Sequence, residues 1–282
     1  MLSITLLNII WQICILGLVT LGLAIVFGQL KIMNMAHGEF VMMGAYAPVI
    51  VQAAGLPNWL QIPICIAVVA TIAWLIERVV VRHLYGRLFD SLLATWGIAI
   101  CLRELVILIF GRGYQFVPLP IERATQVLET SYPSYRLAVI CFTCVTFLGL
   151  FYWYNKSIIG TKIKAMAQNP ELAQVVGINT NRLRQGCFIF GCTSSGIAGL
   201  LIAPTTRIDP NMGLDYLVRS FFALVTGGLG SFEGLLIGSS LIGGIQSLAS
   251  VMFSQTAGYL LILIISVFFL WLKPNGLFSR SN

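Results

Sequence analysis

The sequence predicts an all-α polytopic membrane protein, and three observations predict it. Only 10% of the 282 residues are charged while 58% are hydrophobic, whereas a globular domain puts about a quarter charged residues on its water-facing surface. Charge-free apolar runs recur along the chain, many near the roughly twenty residues needed to span hydrocarbon. The loops between them carry basic residues in some places and mixed charge in others, as alternating sides of a bilayer require. Residues 1–282 therefore form a single transmembrane domain, with eight to ten membrane elements that include broken or half-spanning helices.

The apolar segments run over 4–30, 40–55, 60–77, 91–110, 136–154, 186–204, 217–230, 234–253 and 257–272. The first has no basic residues before it and no small-residue cleavage pattern at its end, so it reads as a span and not as a cleaved leader. The second is short of a full crossing at about 1.5 Å of rise per residue. In the fourth, Arg103 and Glu104 fall about 10 Å from the outer end by helix rise. Intramembrane charges default to functional candidates, and snorkelling of Arg103 to the surface is the competing expectation. Segments seven and eight are divided by "TGGLGSFEG" (226–234), which no continuous helix would choose. Gly238, Gly243 and Gly244 then permit close helix packing.

Loop charge orients these segments. The 78–90 loop holds Arg78, Arg82 and Arg87 against Asp90, and the 155–185 loop holds Lys156, Lys162, Lys164, Arg182 and Arg184 against Glu171. Both belong inside. The 111–135 loop is proline-rich and mixed in sign, as an outer loop is, and Lys273 and Arg280 keep the C-terminus inside. Alternation then gives an outside N-terminus.

Composition also narrows the function classes. The net charge of +7 is read as inner-loop basicity beside anionic lipid, with no nucleic acid implied. Cysteines 14, 65, 101, 141, 144, 187 and 192 lie within apolar segments, and Cys141 and Cys144, one helical turn apart, are expected to serve packing. No metal set is expected: His37 and Glu39 lack the i, i+4 histidine pair of a helical metal site. Ser194, Ser195 and Ser231 have no nucleophile-elbow sequence around them. The chain also lacks a phosphate-binding G-x-x-x-x-G-K-[ST] loop, so it cannot supply an ATPase itself, and no cofactor bound by this chain is expected. No enzyme is expected.

"NMAHGEF" (34–40) has two readings. Asn34 is a good N-cap for a helix starting at Met35, which would place a broken helix inside the membrane, tolerated where protein or a watery cavity satisfies the backbone. Alternatively 31–39 is a tight inner turn with Lys31 at the headgroups. Ser231 can cap "FEGLLIGSSLIGG" in the same way, with Glu233 in the first turn. The two stretches resemble each other faintly, and paired Gly-interrupted segments in two halves of a chain point to an internal repeat around a substrate path.

The inner loop "SIIGTKIKAMAQNPELAQVVGINTNRLRQG" (157–186) carries a short surface helix. Asn169 is its N-cap, Pro170 its first residue, Glu171 lies under its positive end, and Gly177 stops it. Leu172, Val175 and Val176 make one side apolar. A second helix start follows at Thr180 or Asn181.

"GLAIVFGQLKIMNMAHGEFVMMGAY", "AMAQNPELAQVVGIN", "ALVTGGLGSFEGLLIGSSLIGG" and "KPNGLF" together resemble the permeases of ABC importers for branched-chain amino acids and urea. The motifs run in family order from residue 20 to 278. "LYGRLFDSLLATWGIAICL" (84–102) and "DPNMGLDYLVRSF" (209–221) are more similar to the urea type, although Arg103-Glu104 departs from the amide residues expected there. The resemblance implies a bacterial inner-membrane subunit paired with a second permease. It also implies two ATPase subunits that use ATP and Mg, and a periplasmic substrate-binding protein. Carried onto this sequence, Ala165 to Asn179 form the coupling helix, including Ala165, Ala167, Asn169, Pro170, Glu171, Leu172, Ala173, Gly177 and Asn179. Alternating access would then move a small neutral solute, urea, past hydrogen-bonding groups. The candidate path residues are Asn34, His37, Glu39, Thr95, Thr226, Ser231 and Glu233. The competing expectations are an amino-acid permease of the same family and a passive small-solute channel.

Overall fold

A computed structural model describes residues 2–127, 130–228 and 232–272. The predicted segments become α1 (Leu2–Leu30), α2 (His37–Ala53), α3 (Gln61–Val79), α4 (Leu88–Phe110) and α5 (Ser134–Lys156), then α8 (Thr180–Ile202), α9 (Met212–Gly227), α10 (Phe232–Met252) and α11 (Gln255–Leu272). Between α5 and α8 lie two short helices, α6 (Ile158–Gln168) and α7 (Pro170–Val175). Among the described residues, six helices are long and apolar enough to cross a membrane, while α2 and α9, at 17 and 16 residues, are shorter. The chain is a multi-pass, all-α membrane protein.

Helix bounds differ from the apolar segments where polar residues enter a helix. α8 begins at Thr180, the helix start expected at Thr180 or Asn181 and six residues ahead of the apolar segment at 186, because the Asn179 side chain accepts the Arg182 N–H at 3.1 Å and makes the charged stretch "TNRLRQG" helical. An apolar window cannot see a polar first turn. The 111–135 loop holds an unexpected antiparallel hairpin, β1 (Ala124–Val127) with β2 (Thr130–Pro133). The Tyr132 hydroxyl donates to Leu7 O at 3.3 Å and Asn8 Oδ1 at 3.2 Å, and Arg136 donates to Asn8 at 3.1 Å. The hairpin thus shares a side with the start of α1. At the opposite end the Tyr154 hydroxyl, near the finish of α5, donates to Gln29 of α1 at 3.3 Å.

The core is built on α2, in which every residue from His37 to Pro48 is buried. A helix apolar nearly all round must be surrounded by other helices, and α8 and α9 pack along it. Glycine makes this possible: a Cβ on Gly44 would run into the Gly196 carbonyl, and one on Gly199 into the Val41 carbonyl. In lipid, such small-residue contacts let backbones approach and gain dispersion energy that no hydrophobic effect supplies. α10 runs antiparallel to α1, with Gln246 beside Gln12, Ser239 near Gly17 and Leu235 packed with Leu21. By contrast α4 and α5 expose large apolar side chains such as Leu93, Trp96, Leu108, Val145 and Leu148. Cys141 and Cys144 belong to that exposed face, as does Cys101. Cys144 nevertheless reaches the buried Cys14 thiol; Cys14, Cys65, Cys187 and Cys192 are buried.

Candidate functional site

α1 ends because Lys31 takes a φ of 53°, turning the backbone out of the helix. Residues 31–34 are neither helix nor strand, and α2 does not start until His37. The His37 ring lies 3.0 Å from the Val19 carbonyl oxygen, about 16 Å back along α1 from Leu30 by helix rise. The segment between them therefore climbs back beside α1, within the roughly 20 Å that six extended residues reach. It is a break inside the helix bundle, not an inner turn at the headgroups.

Buried, non-helical backbone needs partners, and neighbouring helices supply them. Thr95 of α4 accepts the Met35 N–H at 3.0 Å, while its own proton goes to Ser91 O at 2.7 Å, with Met33 O at 3.2 Å within reach. Asn34 Oδ1 accepts the Ala36 N–H at 3.1 Å, and its amide reaches Cys192 Sγ at 3.8 Å. Asn34 is thus not the N-cap of a helix starting at Met35. It closes a turn two residues long, Ala36 occupies the cap position, and α2 starts one residue later.

His37 is fully buried. Its Nε2 lies 2.9 Å from Ser195 Oγ, which also reaches Gly191 O at 3.1 Å. This serine–histidine pair closes a helix contact and does not arm a nucleophile. Both residues are sealed from solvent, and the carboxylate two residues from His37 is engaged elsewhere. Glu39 forms an ion pair with Arg103 of α4. The Glu39 side chain is 2% exposed and that of Arg103 is 21% exposed. Glu39 Oε2 and Arg103 Nε are buried with no hydrogen-bond partner. Arg103 does not snorkel; its charge is met from within.

Of the sequence candidates, Asn34, His37, Glu39 and Thr95 are thus brought together around the start of α2. Thr226 stands apart, its hydroxyl donating to Phe222 O at 2.8 Å in its own helix. Glu233 is exposed in the first turn of α10, and Ser231 lies outside the described residues. The sequence reading missed Ser195, Cys192 and the Glu39–Arg103 pairing. The signal for the last was present: two opposite charges at membrane depth, each too costly to leave alone.

At the end of the bundle where α1 finishes, a cavity of about 320 Å³ opens between α1, α5, α6 and α8, with Leu235 of α10 at its wall. It is mostly apolar, with Gln29, Tyr154 and Arg182 among its polar side chains. The predicted coupling helix is two helices, α6 and α7, because Asn169 leaves helical geometry between them. As expected, Asn169 Oδ1 accepts the Leu172 N–H at 3.0 Å, Pro170 starts α7, and Gly177 ends the turn at a φ of 83°. Ala165 and Ala167 sit on α6, Glu171, Leu172 and Ala173 on α7, and Asn179 caps α8. Ala173 faces the protein at 3% exposure, while Leu172, Val175 and Val176 point outward at 61%, 83% and 68%. Nearby, buried Glu77 accepts from Tyr85 at 3.2 Å and from Gln185 at 2.7 Å, tying α3 to the start of α8.

Comparison with known proteins bears on this arrangement. The family model described as "Branched-chain amino acid transport system / permease component" matches residues 5–272. The chain is 26% identical to the high-affinity branched-chain amino acid transport system permease protein LivH of Salmonella typhimurium, covering 94% of this chain and 91% of the relative. It is 25% identical to the corresponding permease protein BraD of Pseudomonas aeruginosa over the same shares. A probable branched-chain amino acid transport permease protein LivH of Methanocaldococcus jannaschii is 27% identical, with 86% of this chain and 80% of the relative covered. Among solved structures, PsaBC from Streptococcus pneumoniae in complex with Fab shares the fold at a TM-score of 0.57 and 12% identity, covering 96% of this chain and 92% of that one.

Proposed function

We infer the role of this chain from its family: it belongs to the branched-chain amino acid permease family, whose model spans residues 5–272. The chain is the membrane subunit of an ATP-driven importer that carries branched-chain amino acids inward. The observation that carries this reading is the near full-length match to permeases named for that transport. It shifts the substrate from urea, the first expectation, to the amino-acid alternative.

The partners follow from the same reading. They are a second permease in the bacterial inner membrane, two ATPase subunits supplying ATP and Mg chemistry, and a periplasmic binding protein. The outward apolar residues of α7 and its C-cap Val176 support the ATPase contact, since three large exposed aliphatics beside a polar inner loop are a surface awaiting a partner. Closure of the ATPases would move α6 and α7, and α8 is continuous with them through the Asn179 cap. α8 packs on α2, so that movement reaches the broken segment and changes which side the path faces.

Urea remains a second reading because residues 84–102 and 209–221 resemble urea-type permeases. Uptake of radiolabelled leucine and of urea by cells carrying the intact transporter distinguishes them. Leucine uptake is expected; urea uptake without leucine uptake would sink the amino-acid reading. Flux by this chain alone in liposomes without ATP would instead make it a passive channel.

A further inference from the structure

The cavity beside α1 changes character along its length. On α1 its lining runs from Leu21 to Gln29, and on α8 from Phe190 back to Arg182, about 12 Å of helix rise in each case. That is close to the roughly 15 Å half-thickness of a bilayer's hydrocarbon. Leu21, Phe190 and Leu235 close the deep end, whereas Gln29, Tyr154 and Arg182 gather at the end where α1 finishes. Lys164 brings a second cation there, its Nζ 4.6 Å from the centre of the Tyr154 ring. Among the described residues no acidic side chain lines the cavity, and the ion pairs involve neither Arg182 nor Lys164. Trp153 and Phe190, at 42% and 44% exposure, leave it open sideways between α5 and α8. The candidate path residues around the start of α2 lie elsewhere and take no part in its walls.

We propose that this cavity holds one acyl chain of an anionic phospholipid, with the headgroup phosphate at Arg182. An apolar slot that lies along the helices and opens at its side takes a chain from the bilayer without exposing it to water. Basic pockets between membrane helices on the cytoplasmic side suit anionic headgroups, and the 155–185 stretch is expected on that side by its charge. Arg182 offers a planar fork to two phosphate oxygens, and Lys164 adds positive potential as a point charge. A free phosphate has no use for the apolar walls. A zwitterionic lipid carries its own cation and so gains less from these two. Ile159 and Ile163 on one wall belong to α6, so an occupied slot ties the helix leading into α7 to α1. The lipid is thus a structural ligand of the coupling region, whichever solute the transporter carries.

Native mass spectrometry of the whole transporter in detergent, titrated with phosphatidylglycerol or phosphatidylcholine, tests this for wild type, Arg182→Gln and Gly186→Leu. Gly186 lines the cavity, and a Cβ there meets no atom within 4 Å, so leucine fills the slot without a backbone clash. Wild type is expected to take up one phosphatidylglycerol about tenfold more tightly than phosphatidylcholine. Arg182→Gln should bring the two lipids within about threefold of each other, and Gly186→Leu should lose the tight site for both. Inorganic phosphate should leave the lipid in place; displacement would mark an anion site without a chain and overturn the proposal. Equal retention of the two lipids by wild type, or wild-type binding by Gly186→Leu, overturns it also. Should Gly186→Leu fail to assemble, Arg182→Gln decides: an undiminished preference for phosphatidylglycerol overturns the proposal, and its loss supports it.

Discussion

The Thr95 hydroxyl of α4 stands 3.0 Å from the Met35 nitrogen and 3.2 Å from the Met33 carbonyl oxygen, so one side chain serves a segment with no ladder of its own. Thr95→Val keeps the shape and removes the acceptor. A fully buried orphaned N–H costs about 1–3 kcal/mol; this part-buried one should cost less, so the valine variant should melt at a modestly lower temperature in detergent while Thr95→Ser stays near wild type. Equal melting of all three would show that Thr95 does not hold the break.

Gly44 and Gly196 let α2 and α8 touch backbone to backbone. Gly44→Ala places a methyl against the Gly196 carbonyl, and neither helix backbone can yield without parting the pair. The expected result is a large drop in membrane-inserted, detergent-stable protein. Gly97→Ala, where nothing lies within 4 Å of the added carbon, is the matched control and should express normally.

Removing the Asn169 cap should loosen α7 without unfolding the membrane domain. Asn169→Ala is expected to cost about 1 kcal/mol locally, seen as faster amide exchange at Leu172. Leu172→Asp, with the helix intact, should instead reduce copurification of the ATPase subunits. Undiminished copurification would mean that the outward face of α7 is not the contact.

Burial, reinforced by the neighbouring Glu77 carboxylate, raises the Tyr85 phenol above its ordinary value. A raised folded pKa stabilises the fold fully below the unfolded value of about 10, and that stability is lost as pH climbs beyond it. Thermal melting at alkaline pH should therefore fall more steeply for wild type than for Tyr85→Phe. At neutral pH the phenylalanine variant should lose about 1 kcal/mol, the worth of one hydrogen bond. Parallel melting curves for the two proteins across that pH range would remove Tyr85 from this account.

Local rules carried the sequence reading far. Apolar run lengths gave the order of the helices because the bilayer leaves a chain few choices: span, or satisfy the backbone internally. Asn169, Pro170 and Gly177 were readable because caps and stops act within a few residues of the groups they serve. Loop charge likewise placed 78–90 and 155–185 on one side. The sequence could also say that "NMAHGEF" interrupts a helix. It could not say where the interruption lies, because its partners Thr95, Cys192 and Ser195 come from helices about 60 and 160 residues away. The same distance hid the Glu39–Arg103 pair, in which each charge looked unexplained alone. Helix identity follows from the short-range pattern of apolar side chains. The depth of a break and the partner of a buried charge follow from which glycine faces let which helices meet, and only the folded chain decides that.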